Sequence, residues 1–159
     1  MKHTISALVE NKFGVLARVA GMFSGRGFNI ETLNVGPVNE GKYSRITATV
    51  KDDKNSVEQC VHQLSKLVNV IDVIDFSTSE TFVSRELALL KVKFTEKNHK
   101  ELLTLIKKFN AKIACSGKST MIIEITDESS IIEELIVSLK KFNILEMART
   151  GALALDCDK

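Results

Sequence analysis

The stretch His3-Thr4-Ile5-Ser6-Ala7-Leu8-Val9-Glu10-Asn11-Lys12-Phe13-Gly14-Val15-Leu16-Ala17-Arg18-Val19-Ala20-Gly21-Met22-Phe23 changes its hydrophobic period once, and that change decides the fold. Up to Val9 it alternates. His3, Ile5, Ala7 and Val9 face one way and Thr4, Ser6 and Glu10 the other, the period of two of a half-buried strand. After Asn11-Lys12-Phe13-Gly14, the residues Val15, Leu16, Val19, Ala20 and Phe23 recur with the rhythm of an amphipathic helix, and Gly25-Arg26-Gly27 supplies its stop. Further on, Phe28 and Ile30 take one parity and Leu33 and Val35 the other, which predicts a second strand with a bulge near Glu31-Thr32. Gly36-Pro37 and Asn39-Glu40-Gly41 predict a hairpin turn, after which Ile46, Ala48 and Val50 point inward from a third strand. Asp52-Asp53 and the Ser56-x-x-Gln59 spacing predict a helix start, with Val57, Cys60, Val61 and Leu64 buried behind it. A fourth strand over 70–76 completes the order β-α-β-β-α-β, the ferredoxin-like unit.

The same order then repeats. Leu90, Val92 and Phe94 alternate with Lys91 and Lys93, and Leu102, Leu105, Ile106 and Phe109 keep helical spacing behind Asn98, with Glu101 three residues on. Ile113 and Cys115 lead into the turn Ser116-Gly117-Lys118, and Met121, Ile123 and Ile125 form the return strand. Ser130-x-x-Glu133 heads a helix burying Ile131, Leu135 and Leu139, and Leu145 with Met147 closes the unit. The expected fold class is therefore α+β, two tandem ferredoxin-like βαββαβ modules. The first covers 1–78, the second 85–159, and the linker 79–84 begins within the hydroxyl-rich segment Ser77-Thr78-Ser79-Glu80-Thr81. Modules this small bury a modest share of their surface, and their sheet edges invite pairing, so at least a homodimer is expected.

Composition narrows the function. The chain has 159 residues, 44% hydrophobic and 26% charged, with a formal charge of +2. Neither half is basic enough to mark a nucleic-acid binder, and no apolar run approaches the roughly 18 residues of a membrane span. The N-terminus passes directly into a strand pattern without a signal or transit peptide, and Cys60, Cys115 and Cys157 form no Cys-x-x-Cys pair, which suits free thiols in a reducing cytoplasm. His3, His62 and His99 are scattered and read as solvated, while Cys60 and Cys115 read as small buried hydrophobes and Cys157 as a tail residue. Asp52-Asp53 and Asp127-Glu128 precede helices, and Lys107-Lys108 and Lys140-Lys141 end them, as the helix dipole favours. Gly21-x-x-x-Gly25-x-Gly27 lies at the wrong end of its helix to cradle a phosphate. No catalytic residue, metal ligand or cofactor site is expected in this chain.

The turn at 11–16 is different. Gly14 immediately before a helix permits a positive φ and close approach of another molecule, and the first helical N–H groups suit a carboxylate. Asn11 adds an amide that reads either charge of a zwitterion, and Asn29 opens the next strand. Val15, Leu16 and Ile30 would line a small aliphatic pocket beside them. A glycine that permits a turn and an asparagine that caps a helix account for the same residues without a ligand.

The pattern Asn11-x-x-Gly14-Val15-Leu16-x-Arg18-Val19-x-x-x-Phe23-x-x-Arg26-Gly27-Phe28-Asn29-Ile30 resembles the N-terminal ACT domain of the acetolactate (acetohydroxyacid) synthase small-subunit family. The likeness extends through Lys66-Leu67-Val68-x-Val70, Arg85-Glu86-Leu87 and Glu146-x-Ala148-Arg149-Thr150-Gly151. It implies a regulatory subunit without catalysis of its own, bound to a large subunit that condenses two pyruvates, or pyruvate with 2-oxobutyrate. Thiamine diphosphate, Mg and FAD would belong to that partner. The resemblance further implies activation of the large subunit and feedback inhibition by a branched-chain amino acid, typically valine. The effector would sit where two ACT domains pair side by side: Asn11, Lys12, Phe13, Gly14, Val15 and Leu16 from one copy, Asn29 and Ile30 from its neighbour. The second module would serve dimerisation and the catalytic contact. Phe13 is bulkier than the small residue the family would place in that turn, and would narrow or reshape the pocket. The rival readings are an RNA-binding module on the same fold, an acylphosphatase-like hydrolase using Arg18 or Arg26 with Asn29, and a metal-responsive regulator around His99 and Cys115.

Overall fold

A computed structural model describes residues 2–78 and 81–158. The chain divides into two compact units, one made of residues up to 83 together with those from 151 onward, the other of Ser84–Thr150. In the first, β1 (Lys2–Glu10), α1 (Val15–Gly25), β2 (Ile30–Val38), β3 (Tyr43–Lys51), α2 (Lys54–Leu64) and β4 (Val70–Asp75) build an antiparallel sheet of order β2-β3-β1-β4. A 3-10 turn, Phe76–Thr78, follows. One sheet face presents Ile5, Ala7, Val9, Ile46, Ala48 and Val50 to Val15, Val19 and Phe23 of α1 and to Val57, Cys60 and Leu64 of α2, all buried. Each of the larger of these side chains, Val, Leu, Ile or Phe, contributes about 1.5–3 kcal/mol of transfer free energy, so the alternating pattern selects which face meets the helices.

The second unit repeats the plan with β5 (Phe82–Lys93), α3 (His99–Lys108), β6 (Lys112–Ser116), β7 (Thr120–Asp127), α4 (Ser129–Leu139) and β8 (Ile144–Arg149), in sheet order β6-β7-β5-β8. Its core joins Ala88, Leu90 and Val92 to Met121, Ile123 and Ile125, beneath Leu102 and Ile106 of α3 and Ile132, Leu135 and Leu139 of α4. A last strand, β9 (Leu153–Asp156), pairs with β5.

The two tandem ferredoxin-like modules are therefore present, and the expected bulge in β2 appears as a register shift between Ile30 and Thr32. The residues from 151 onward group with the first unit. Several other details depart from the sequence reading. Of the expected linker, Ser79 and Glu80 lie outside the described residues, and β5 already begins at Phe82. Gly36 and Pro37 belong to β2, and the turn is confined to residues 39–42, where Asn39, Glu40 and Gly41 all take positive φ.

Helix starts differ more. Asp53 caps α2, accepting from the Ser56 N–H at 3.0 Å, so Ser56 lies inside the first turn. At α3 the Asn98 side chain accepts from the Thr95 N–H at 2.7 Å and leaves the helix without a side-chain cap. α4 starts at Ser129, and its fully buried isoleucine is Ile132 while Ile131 is half-buried. His3 is not solvated: it is 4% exposed, with Nδ1 2.8 Å from Ser77 Oγ. Cys115 is not buried, because a register shift between Ile113 and Cys115 moves it out of the core parity on an outer strand.

Candidate functional site

β1 ends at Glu10, and two bonds tie the following turn to the β2–β3 hairpin. The Asn11 N–H donates to the Lys42 carbonyl at 3.1 Å, and Asn11 Nδ2 donates to the Gly41 carbonyl at 2.8 Å. Gly14 then adopts φ 79°, the left-handed region that glycine enters without steric cost, and nothing lies within 4 Å of where its Cβ would stand. α1 has no side-chain cap and no acidic residue in its first turn. Its first α-helical bond is the Arg18 N–H to the Gly14 carbonyl at 3.0 Å, which leaves the Leu16 and Ala17 amides at the positive end of the helix without an intrahelical acceptor. Val15 is buried, Leu16 is 42% exposed and Phe13 stands fully in solvent. The turn thus presents unpaired amides and a partly exposed aliphatic wall to open space in front of Gly14.

Behind the turn lies a polar network that sequence reasoning did not assign. Glu10 accepts from Asn69 Nδ2 at 2.5 Å and from Lys12 Nζ at 3.0 Å, and Arg18 Nη1 donates to Asn69 Oδ1 at 2.8 Å. The Asn69 bond first, and then Lys12, hold the Glu10 carboxyl below its ordinary value. Arg18 stood in the quoted motif, and Asn69 occupies the unassigned place in Lys66-Leu67-Val68-x-Val70. Only the fold brings them together, because their positions are remote along the chain.

Asn29 is exposed just before β2, and Ile30 opens that strand half-buried. The structure does not bring this pair to the turn within one chain. Register places Ile30 beside Val50 and Val50 beside His3, while Glu10 lies beside Tyr43 and Tyr43 beside Val38. The two halves of the expected site therefore sit at opposite ends of the sheet, separated by about seven strand residues, on the order of 23 Å. β2 is an edge strand whose Leu33 and Val35, sharing a face with Ala48 and Ile46, remain 37% and 41% exposed.

Other features lie elsewhere. A cleft of about 650 Å³ between α2 and β4, lined by Glu58, His62 and Asp75 among others, includes none of the expected site residues. On the sheet face away from the helices, Ser6 and Thr47 are each 1% exposed, which leaves no central platform for base stacking. His99 stacks on Phe94 with centroids 5.0 Å apart. No helix among the described residues is long and apolar enough to cross a membrane.

Comparison with known proteins agrees with this architecture. Residues 5–72 match the family described as AHAS small subunit-like ACT domain, and residues 85–158 match the small subunit of acetolactate synthase. A probable acetolactate synthase small subunit of Archaeoglobus fulgidus is 43% identical over 98% of this chain and 96% of its own length. The acetolactate synthase small subunit of Bacillus subtilis is 39% identical over 97% of this chain and 90% of its own. The crystal structure of the acetolactate synthase small subunit from Thermotoga maritima superposes with a TM-score of 0.90 at 38% identity, covering 100% of this chain and 99% of that one. Both halves and the doubled fold match, and the chain belongs to the acetolactate synthase small-subunit family.

Proposed function

We propose that this chain is the regulatory subunit of an acetolactate synthase in branched-chain amino-acid biosynthesis, without catalytic activity of its own. It raises the activity of a cytoplasmic large subunit, where thiamine diphosphate, Mg and FAD reside, and makes that subunit sensitive to valine or a close relative. The observation that carries the reading is the placement of the two half-sites at opposite ends of edge strand β2. Antiparallel pairing of β2 with β2 of a second copy sets the beginning of one strand beside the end of the other. Asn29 and Ile30 of one protomer then approach the hairpin end to which Asn11 of the other is bonded. The effector carboxylate meets the opening amides of α1 beside Gly14, an asparagine oxygen takes its ammonium, and Leu16 and Ile30 face its side chain, while Val15, expected in the pocket lining, is packed into the core. Phe13, Lys12 and the Glu10–Asn69–Arg18 network form the rim and support of the turn.

Inhibition follows from linkage. A ligand completed by two protomers favours one arrangement of the pair and can shift activity only by its differential affinity, typically about 1–3 kcal/mol. In a complex reconstituted with the cognate large subunit, Gly14→Asp is expected to abolish valine inhibition and to leave activation intact. The new carboxylate occupies the place of the ligand's own, at a backbone angle that an L side chain tolerates poorly. Gly14→Asn, nearly isosteric and uncharged, separates charge from bulk. Unchanged valine inhibition in Gly14→Asp overturns the site. A thermal-shift panel of amino acids identifies the effector, since about 100 times its dissociation constant adds roughly 2.7 kcal/mol of stability.

A further inference from the structure

Of the chain's eight glycines, Gly151 stands apart. A Cβ built on it would lie 2.6 Å from the Thr32 Cβ, 2.9 Å from Thr32 Oγ1 and 3.4 Å from Thr32 Cγ2. Gly14 and the other glycines of the first unit have nothing within 4 Å in that direction. A φ of 76° is a second reason that glycine stands at 151. Gly151 and Thr32 both belong to the first unit, and Ala152 and Ala154, which follow Gly151, are buried. Thr32 pairs with Thr49 on the sheet face away from the helices, where Thr49 is itself buried. The Thr32 hydroxyl has no hydrogen-bond partner among the described residues, so the side chain enters this contact through its shape.

The contact lies beside the irregularity of β2. The ladder with β3 shifts register between Ile30 and Thr32, and a bulge re-aims the residues next to it. Those residues are Asn29 and Ile30, the half-site at the start of the strand. Before them the chain is anchored at Phe28, whose N–H donates to the Phe23 carbonyl at 3.1 Å and whose ring meets that of Phe23 edge-on at 6.3 Å. After them the ladder resumes at Thr32. Ladder hydrogen bonds lie in the plane of the sheet and fix register and spacing. β2 is an edge strand held from one side only, so its height relative to that plane is set by what packs on its two faces. Phe28 and Ile30 pack on the helix face, and Gly151 backs Thr32 on the other. A residue without a side chain lets its backbone come this close to the bulge.

We propose that Gly151 and Thr32 are positioning residues: the backbone at Gly151 backs Thr32 and so fixes the direction in which the bulge presents Asn29 and Ile30 to the effector. The proposal rests on the regulatory reading above. The test uses the complex with the cognate large subunit and reads activation together with the concentration of valine, leucine or isoleucine that gives half of maximal inhibition. Gly151→Ala drives a methyl into Thr32 and is expected to raise that concentration about fivefold or more, the lower end of allosteric coupling, with activation unchanged. Thr32→Val keeps the shape, loses only the unpartnered hydroxyl, and is inhibited like wild type. Adding Thr32→Gly to Gly151→Ala vacates the space the methyl needs and recovers most of the lost sensitivity. A double variant as insensitive as Gly151→Ala assigns the loss to the backbone angle at residue 151 and overturns the positioning role. Wild-type sensitivity in Gly151→Ala, or activation lost in step with sensitivity, overturns it as well. A wild-type complex indifferent to all three amino acids overturns the regulatory reading itself, and the positioning role with it. If Gly151→Ala does not fold, Thr32→Ala, which leaves a gap beside Gly151, is expected to raise the half-inhibitory concentration with activation retained, and an unchanged value overturns the proposal.

Discussion

The Cys60 thiol is fully buried between Val57 and Leu64 on the inner face of α2, and burial pushes it up to about 11, with Arg26 a weaker opposing influence. Thiolate is the reactive form, so this side chain is both inaccessible and protonated at the pH of ordinary thiol chemistry. Cys115 and Cys157 are exposed. A disulfide-exchange reagent at mildly alkaline pH is therefore expected to titrate two thiols quickly in the native chain, and the third only after denaturant is added. Three rapid equivalents would contradict the packing of α2. Residue chemistry also separates Gly14 from the other glycines of the first unit's turns. Its positive φ coincides with open space in front of a helix start, which is where the effector is proposed to bind.

Among the elements, α2 shows how a cap makes a helix end pH-dependent. Ser56 donates both its N–H, at 3.0 Å, and its hydroxyl, at 2.6 Å, to Asp53, and these bonds lower that carboxyl from 3.8 to about 2. A depressed carboxyl stabilises the fold above its unfolded value and ceases to do so as pH falls through its folded value. The stabilisation is therefore complete above about 4 and disappears as pH falls towards about 2. Asp53→Ala is expected to melt lower than wild type near neutral pH, with the gap closing across that acid window. A gap that persists at the acid end would show that the cap acts without its charge. α1 makes the opposite choice and leaves its first turn uncapped, at the end where an anionic ligand is expected.

For the whole molecule, β2 is the decisive element. It is a nine-residue edge strand, carries the chain's proline at position 37, and keeps Leu33 and Val35 partly in solvent. Proline is tolerated at an edge, and an apolar edge strand of this length is a template for pairing. Leu33→Lys/Val35→Lys is expected to halve the mass measured by light scattering and to remove the effector-induced thermal shift, since lysine blunts sheet edges. An unchanged mass would place the homodimer on another surface.

Hydrophobic period carried much of this. The switch from period two at Val9 to helical spacing at Val15, repeated between Phe94 and Leu102, yields the element order and most of both cores without reference to any distant residue. The Asn11–Leu16 turn was visible for the same local reason. Misread positions are those governed by a remote partner. His3 looks like a strand-end histidine until Ser77 folds against it, and Ser130 with Glu133 imitates a cap until Arg149 takes Glu133 and α4 starts one residue earlier. Cys115 looked internal because a single bulge reverses every later parity.

The amino-acid order alone determined which residues face inward, that the βαββαβ plan occurs twice, and that a glycine turn opens the first helix, since each depends on neighbours within a few residues. Tertiary structure decided which strand became an edge, that Asn29 and Ile30 stand at the far end of the sheet from Asn11, and that the final residues return to the first unit. Side-chain period states which face a residue takes but not which strand lies beside it. That second choice is made by hydrogen bonds between segments far apart in the chain.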